Sequence, residues 1–288
     1  MRVNSKIVSR YIKRLTILFL ALIILYMLSV IFLFATFRVT SESMNPELQK
    51  NDFLIVYKPT LGARLFNVFA AIKGEDFHVY RMPGLRDFKR NDIVVFNYPY
   101  KEWDTWDHIT LNLKEYYVKR CIGLPGDSIL AKNGIFEVLG VNCTLGNYSM
   151  QDRASGSSFD SIPRPSYIDD CDLGWNLHDW GPIYVPKKDD SILIDKNNYH
   201  LYKKIIEWES DLPIDSLSEG IQYRFKHNYY FVAGDNTLHS IDSRYWGLVP
   251  DDFIVGKVSF AIGNSKKSFL HRSPDLQTSS SSCYQGYG

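Results

Sequence analysis

Two serines one residue apart, Ser41 and Ser43, sit in the stretch Ser41-Glu42-Ser43-Met44-Asn45-Pro46-Glu47-Leu48, three residues beyond the one long apolar run of the chain. A serine hydroxyl becomes a nucleophile when a neighbouring group takes its proton, and Pro46 stiffens the chain just past Ser43. Taken alone, the octapeptide is as readily an ordinary turn rich in Ser and Pro. The proton acceptor has to come from elsewhere.

Two kinds of acceptor are available. The first is histidine, in a Ser-His-Asp arrangement. The seven histidines, His78, His108, His178, His200, His227, His239 and His271, lie scattered in polar segments, and none stands in a strand-and-turn setting like that of Ser43. The second is a lysine. In Tyr116-Tyr117-Val118-Lys119-Arg120-Cys121-Ile122-Gly123, two adjacent cations interrupt a strand of bulky residues, and alternation sends them to opposite faces. One of them therefore points inward. Among apolar neighbours an ammonium loses hydration, and its pKa falls from ~10.4 toward neutrality. A fall of ~3 pH units costs about 4 kcal/mol, a strain retained at functional sites. The commoner strand lysine reaches water from a sheet edge, so both readings stand at this level. The four cysteines, Cys121, Cys143, Cys171 and Cys283, have no C-x-x-C spacing and no Cys/His cluster; no zinc site, other metal or cofactor is expected. In an oxidising compartment Cys143 and Cys171 would pair.

The elements that must position these groups follow from pattern. With 288 residues, 45% hydrophobic and 23% charged, the chain accommodates one large folded domain besides an anchor and a tail. A net charge of +1 offers no field to attract nucleic acid, and the 15% aromatic content suits strands and a surface at lipid headgroups. Residues 1–14 carry Arg2, Lys6, Arg10, Lys13 and Arg14 without an acid, and Leu15 to Phe37 hold no charge. That run is long enough to span a hydrocarbon core, and the basic leader should stay in the cytoplasm with the remainder outside. A cleaved secretory signal is the competitor, but its apolar region is shorter and Phe37-Arg38 is a poor cleavage site.

Beyond the anchor, Asn51-Asp52 leads into the strand Phe53-Leu54-Ile55-Val56-Tyr57, Lys89-Arg90-Asn91-Asp92 into Ile93-Val94-Val95-Phe96, and Tyr116 to Gly123 ends at Leu124-Pro125-Gly126-Asp127. Later strands are expected at Gly181 to Pro186, Tyr229 to Ala233 and Asp252 to Phe260, with a short helix from Tyr199 to Trp208. Leu65 to Ile72 reads as a core helix in preference to an interfacial patch. Strands punctuated by turns predict an all-β catalytic domain, mainly antiparallel with coiled sheets or a partial barrel, behind a single N-terminal transmembrane helix. The expected units are a leader at 1–14, an anchor at 15–37, a core at 38–130 and 226–262, an inserted β-rich subdomain at 131–225 and a flexible tail at 263–288.

Four blocks carry a resemblance: Ser41-x-Ser43-Met44-x-Pro46; Asn91-Asp92-Ile93-Val94-Val95-Phe96; Lys119-Arg120-x-Ile122-Gly123-x-Pro125-Gly126-Asp127; and Gly234-Asp235-Asn236 continuing to Ser240-x-Asp242-Ser243-Arg244-Tyr245-Trp246-Gly247. In this order behind an N-terminal anchor they resemble the motifs of bacterial type I signal peptidases, over roughly residues 15–260. The resemblance implies a Ser-Lys dyad with Ser43 as nucleophile and Lys119 as general base. It implies Ser41 as a side-chain oxyanion donor beside the backbone N–H of Ser43, Ser240 as the hydroxyl that orients the lysine, and Asp242 with Arg244 as a supporting ion pair. Phe37, Val39, Met44, Leu48, Tyr117 and Val118, flanking the dyad, are the implied lining of pockets for small residues at −1 and −3. The implied partners are preprotein signal peptides, the lipid bilayer and the secretion translocon, and the implied location is the inner membrane, single-pass, with the catalytic domain on the periplasmic side.

The chain departs from the family at three points. Glu42 and Glu47 stand where a small residue and Thr are usual, and both are expected to face solvent; Thr237-Leu238-His239 is less polar than usual, with His239 a loop residue; and one apolar run precedes Ser43 where many members have two. A self-cleaving protease of the repressor type would need a DNA-binding domain where the apolar run stands. A silent tethered β domain that only binds signal peptides would have no need of Ser41, Ser43, Lys119 and Ser240 together.

Overall fold

The computed structural model describes residues 5–73, 77–102, 106–157, 166–168, 173–210 and 220–263. It opens with helix α1, Ser5–Phe32, followed after one residue by strand β1, Phe34–Arg38. Among the described residues α1 is the one helix long and apolar enough to cross a membrane, over Ser9–Phe32. The apolar run thus ends as helix before Phe37. Leu33 N–H still bonds Ser29 in the helical manner, and the chain then finds a strand partner, with Phe34 opposite Tyr57. The availability of that partner, not loss of hydrophobicity, ends the helix.

Strand β2 is Phe53–Tyr57, and a short pair β3, Arg64–Leu65, and β4, Tyr80–Arg81, flanks helix α2, Val68–Lys73. The core reading of Leu65 to Ile72 does not hold for α2: Val68 and Phe69 are exposed, the latter by 79%, and Ala70 is buried. A helix of under two turns has one narrow face to bury, and here the small residue occupies it. Strands β5, Ile93–Tyr98, β6, Asn112–Gly123, β7, Ser128–Lys132, and β8, Ile135–Val138, follow, then helix α3, Tyr148–Ser155. Strands β9, Trp180–Tyr184, and β10, Ser191–Ile194, precede helix α4, Tyr199–Ser210, and β11, Ile221–Arg224. The chain closes through β12, Tyr229–Ala233, a short helix α5, Ser243–Trp246, β13, Val249–Pro250, and β14, Ile254–Ile262.

Seven strands form one sheet in the order β1-β2-β14-β5-β6-β12-β13, antiparallel at every pairing. Among the described residues of 128–224, the β structure is an antiparallel sheet β8-β7-β9 and a β10-β11 pair, and the helices are α3 and α4. The all-β class holds, with helices in this part of the chain. All six residues of β5 are buried because both faces of the main sheet are covered. Ile93 and Val95 face a cluster with Val39, Met44, Leu48, Leu54, Val56 and Val258. Val94 and Phe96 face a larger one with Cys121, Ile122, Phe231 and Trp246. Phe136 and Trp180 from the middle of the chain pack on Phe231, at ring-centroid distances of 6.4 and 5.2 Å, so β8 and β9 share the larger core. Of the expected disulfide, Cys143 is disulfide-bonded, and Cys171 lies outside the described residues. The tail beyond residue 263 is outside them too.

Candidate active site

Ser43 lies in the turn between β1 and β2, and Lys119 on β6 opposite Val94 of β5. Although 76 residues separate them, Lys119 Nζ donates a 2.6 Å hydrogen bond to Ser43 Oγ. Ser43 is 8% exposed and Lys119 2%. The lysine stays in the larger core by alternation with Tyr117, whose ring centroid is 5.7 Å from Nζ. Burial lowers the Lys119 pKa to about 8; Arg244 pushes it the same way, and the carboxylates of Asp242 and Asp235 oppose the fall. Among the described residues no histidine bonds to Ser43, whose hydroxyl meets only Lys119 Nζ and, at 3.2 Å, Ser41 Oγ. An amine whose pKa is lowered to about 8, beside a serine hydroxyl, loses its proton far more readily than an ordinary lysine and is equipped for covalent acyl transfer.

The second buried cation explains what alternation alone could not. Arg120 is as buried as Lys119, on the opposite face, because Asp235 takes it bidentately at 2.7 and 2.6 Å. Its third contact is a 2.9 Å bond to the Asn91 carbonyl, drawing the turn before β5 against β6. The sequence does not reveal the Arg120–Asp235 pair; Asp235 stands there only as a member of the last block. Glu47, expected in solvent, lies 3.9 Å from Arg120 with its side chain 13% exposed. A buried guanidinium draws a nearby carboxylate inward. Glu42 is exposed, as expected.

The last block forms the floor of the site. Arg244 Nε and Nη2 each meet Asp242 at 2.8 Å, and Arg244 Nη2 also donates to the Thr237 carbonyl. Asp242 caps α5 and accepts the Gly234 N–H at 3.0 Å, so the pair ties the loop 234–242 to itself. Burial would raise the Asp242 pKa, but the charge and hydrogen bonds of Arg244 bring it below the usual carboxylate value. In an Arg244→Met variant Asp242 keeps its charge in the core without its bidentate partner. The expected loss of stability is about 3–5 kcal/mol, read as an earlier midpoint in urea; an unmoved midpoint would show that the pair does not hold the loop.

Ser240 is fully buried, yet the lysine-orienting bond implied for it is not made: its Oγ has no hydrogen-bond partner among the described residues. It packs against Gly234, where an added Cβ would stand 2.1 Å from Ser240 Oγ and 2.5 Å from the Ser43 carbonyl oxygen. That separation explains the glycine and the close approach of the loop to the nucleophile's backbone. Of the residues implied as pocket lining, Val39, Met44 and Leu48 are side chains of the smaller core, at 5%, 1% and 1% exposure, with almost no surface to offer. Phe37, Tyr117 and Val118 remain partly exposed; Phe37 packs on Tyr116 at 4.9 Å, and Tyr117 stacks on Tyr98 at 4.5 Å.

Among the described residues, one group of potential metal ligands occurs away from these elements, with donor atoms of His227, Asp251 and Asp252 within 4.8 Å of one another. His227 Nδ1 is already 3.2 Å from Asp251, and the guanidinium of Arg64 donates to the Asp252 carbonyl while that of Arg81 donates to Asp251. His227 thus pairs with both carboxylates, and the two guanidiniums lie on the backbone oxygens of the same aspartates.

The family model described as "Signal peptidase, peptidase S26" matches residues 10–262. A signal peptidase I of Buchnera aphidicola subsp. Baizongia pistaciae is 31% identical over 80% of this chain and 69% of its own length. That of the subspecies Acyrthosiphon pisum is 30% identical over 78% and 67%, and that of Haemophilus influenzae 25% over 80% and 63%. A crystal structure of a signal peptidase I from Enterococcus faecalis matches 61% of this chain and 99% of that one, at 19% identity and a TM-score of 0.31; at that score it adds nothing to the sheet order given above. These matches place the chain among hydrolases of the serine-peptidase class. The chain belongs to the S26 signal peptidase family, whose reaction is the removal of signal peptides.

Proposed function

We propose that Ser43 and Lys119 form the catalytic dyad of a membrane-anchored signal peptidase that cuts after small residues at −1 and −3. The observation that carries this reading is the 2.6 Å contact between the two groups, with the lysine buried and its pKa lowered to about 8. The neutral amine accepts the Ser43 proton as Oγ bonds to the scissile carbonyl carbon. The tetrahedral intermediate collapses with rupture of the C–N bond, and the ammonium returns its proton to the leaving amine. Water, deprotonated by the same lysine, then releases the acyl group. Ser41 Oγ and the Ser43 N–H receive the oxyanion. Ser240 lies in the loop beside the Ser43 carbonyl, and Asp242 with Arg244 supports that loop. Partly exposed Phe37, Tyr117 and Val118 border the cleft for the signal peptide.

On this reading α1 crosses the inner membrane with its basic leader in the cytoplasm, and the catalytic domain meets preproteins on the periplasmic side, near the translocon. Ten residues, 33–42, join the end of α1 to Ser43, so enzyme and cleavage site meet at the bilayer surface. The test is a model preprotein with an Ala-x-Ala site, incubated with the full chain in liposomes. The expected result is a single cut after the last Ala, abolished when that Ala is replaced by Phe. Stoichiometric binding without cleavage would instead assign the chain as a tethered binding module.

A further inference from the structure

We propose that Asn236 is a positioning residue that sets the oxyanion donor, by holding the peptide unit between Glu42 and Ser43 in one orientation. This rests on the Ser43–Lys119 reading and extends it to a residue without a role there. The unit is a trans peptide, so the Glu42 carbonyl and the Ser43 N–H point in opposite directions along one plane. The Asn236 side-chain amide donates to the Glu42 carbonyl oxygen at 3.1 Å, and the Asn45 N–H donates to the same oxygen at 3.0 Å. Asn236 also donates its backbone N–H to the Ser43 carbonyl oxygen at 3.0 Å. One residue therefore grips the carbonyls on both sides of the nucleophile. The Ser43 N–H itself meets no acceptor among the described residues. The carbonyl end of the unit is tied down at two points, and its N–H end is left open beside Oγ.

Two physical consequences follow. Rotation of the unit, which would swing the N–H away from the reacting carbonyl, has to break the Asn236 and Asn45 bonds together. Donation to the carbonyl also polarises the unit and makes its N–H a stronger donor, as in any hydrogen-bonded chain of amides. With the backbone N–H of Asn236 engaged by the Ser43 carbonyl, the side-chain NH₂ is the group left to donate to the Glu42 carbonyl, which its amide oxygen cannot do. Position is secured from behind: Asp235, the preceding residue, is clamped by Arg120, which adjoins Lys119 on β6. The base and the oxyanion donor are thus registered to each other through neighbouring residues of one strand.

The test compares wild type with Asn236→Asp, nearly isosteric but unable to donate, and Asn236→Ala, which removes the amide without adding charge. Oxyanion contacts strengthen only in the transition state, so kcat for a signal-peptide substrate is expected to fall about 10–100-fold in both, less than the 10²–10³ of a deleted donor, with KM within about twofold. Affinity for a peptide aldehyde, which forms a tetrahedral adduct on Ser43, should fall in parallel, while affinity for an uncleavable peptide with Pro after the scissile bond stays unchanged. A merely structural role would weaken both ligands alike and lower the melting temperature, and that result would overturn the proposal. So would wild-type kcat in both variants. Failure of the wild-type enzyme to cleave would instead remove the Ser43–Lys119 reading, and this inference with it.

Discussion

Ser43→Ala yields a folded protein that processes no preprotein. Ser43 Oγ touches only Ser41 Oγ and Lys119 Nζ, so its removal deletes one hydrogen bond of a buried amine, a loss of about 1–3 kcal/mol, and leaves the packing of Met44 and Leu48 intact. The effect on rate is of another order. Without the hydroxyl no acyl-enzyme forms, and loss of a catalytic serine lowers kcat on the order of 10⁶-fold in a serine protease. Single-turnover cleavage of a preprotein in liposomes, with a thermal melt of the same sample, reads both. Measurable acyl-enzyme in this variant would assign the nucleophile to another residue, Ser41 being the nearest hydroxyl.

Lys119→Met is expected to lower the rate by about 10²–10⁴-fold, the range of general base catalysis, and at the same time to stabilise the fold. The second half follows from the lysine's surroundings. In the unfolded chain the amine titrates near 10.5, and in the folded protein burial lowers it to about 8. Below pH 8 both states carry the proton, and the folded state bears the whole penalty of a buried charge, about 3 kcal/mol at 1.36 kcal/mol per pH unit. The penalty fades between pH 8 and 10.5 as the folded lysine loses its proton first. Methionine, of similar length, carries none of it. The melting temperature of Lys119→Met should exceed that of wild type at pH 7 and approach it above pH 10. Wild-type activity has the matching profile: the base is neutral only above its pKa, so log kcat/KM rises with slope near one up to about pH 8 and then levels. A profile flat from pH 5 to 9 would exclude this lysine as the base, and so would full activity of Lys119→Met.

Much of the framework is legible before any coordinates. The uncharged run after Arg14 is a helix, and the turns at Asn51-Asp52 and Asn91-Asp92 do feed strands of β-branched and aromatic residues. These signals are local. A stretch of apolar residues without charge, or a polar turn before Ile-Val-Val-Phe, has one low-energy use in nearly any surroundings. The strand that carries Lys119 and Arg120 is legible for the same reason, while the choice of Lys119 between its two cations came from the resemblance.

Other features depend on what lies across a gap in sequence. Alternation states that Lys119 and Arg120 face opposite ways, but not that both faces are covered; Arg120 is buried because Asp235, 115 residues later, neutralises it. Glu47 follows Arg120 inward, and Met44 and Leu48, next to the nucleophile, face the core under β1 and β2 and not a substrate cleft. Phe34 to Phe37 leave the helix because β2 is there to pair with them. By itself the amino-acid sequence determined the elements and the chemical types that could act, since hydrophobic pattern and turn chemistry act over a few residues. Only the tertiary structure decided which side chains meet, because pairing of β1, β2, β5 and β6 sets distances of a few ångströms that no spacing along the chain encodes.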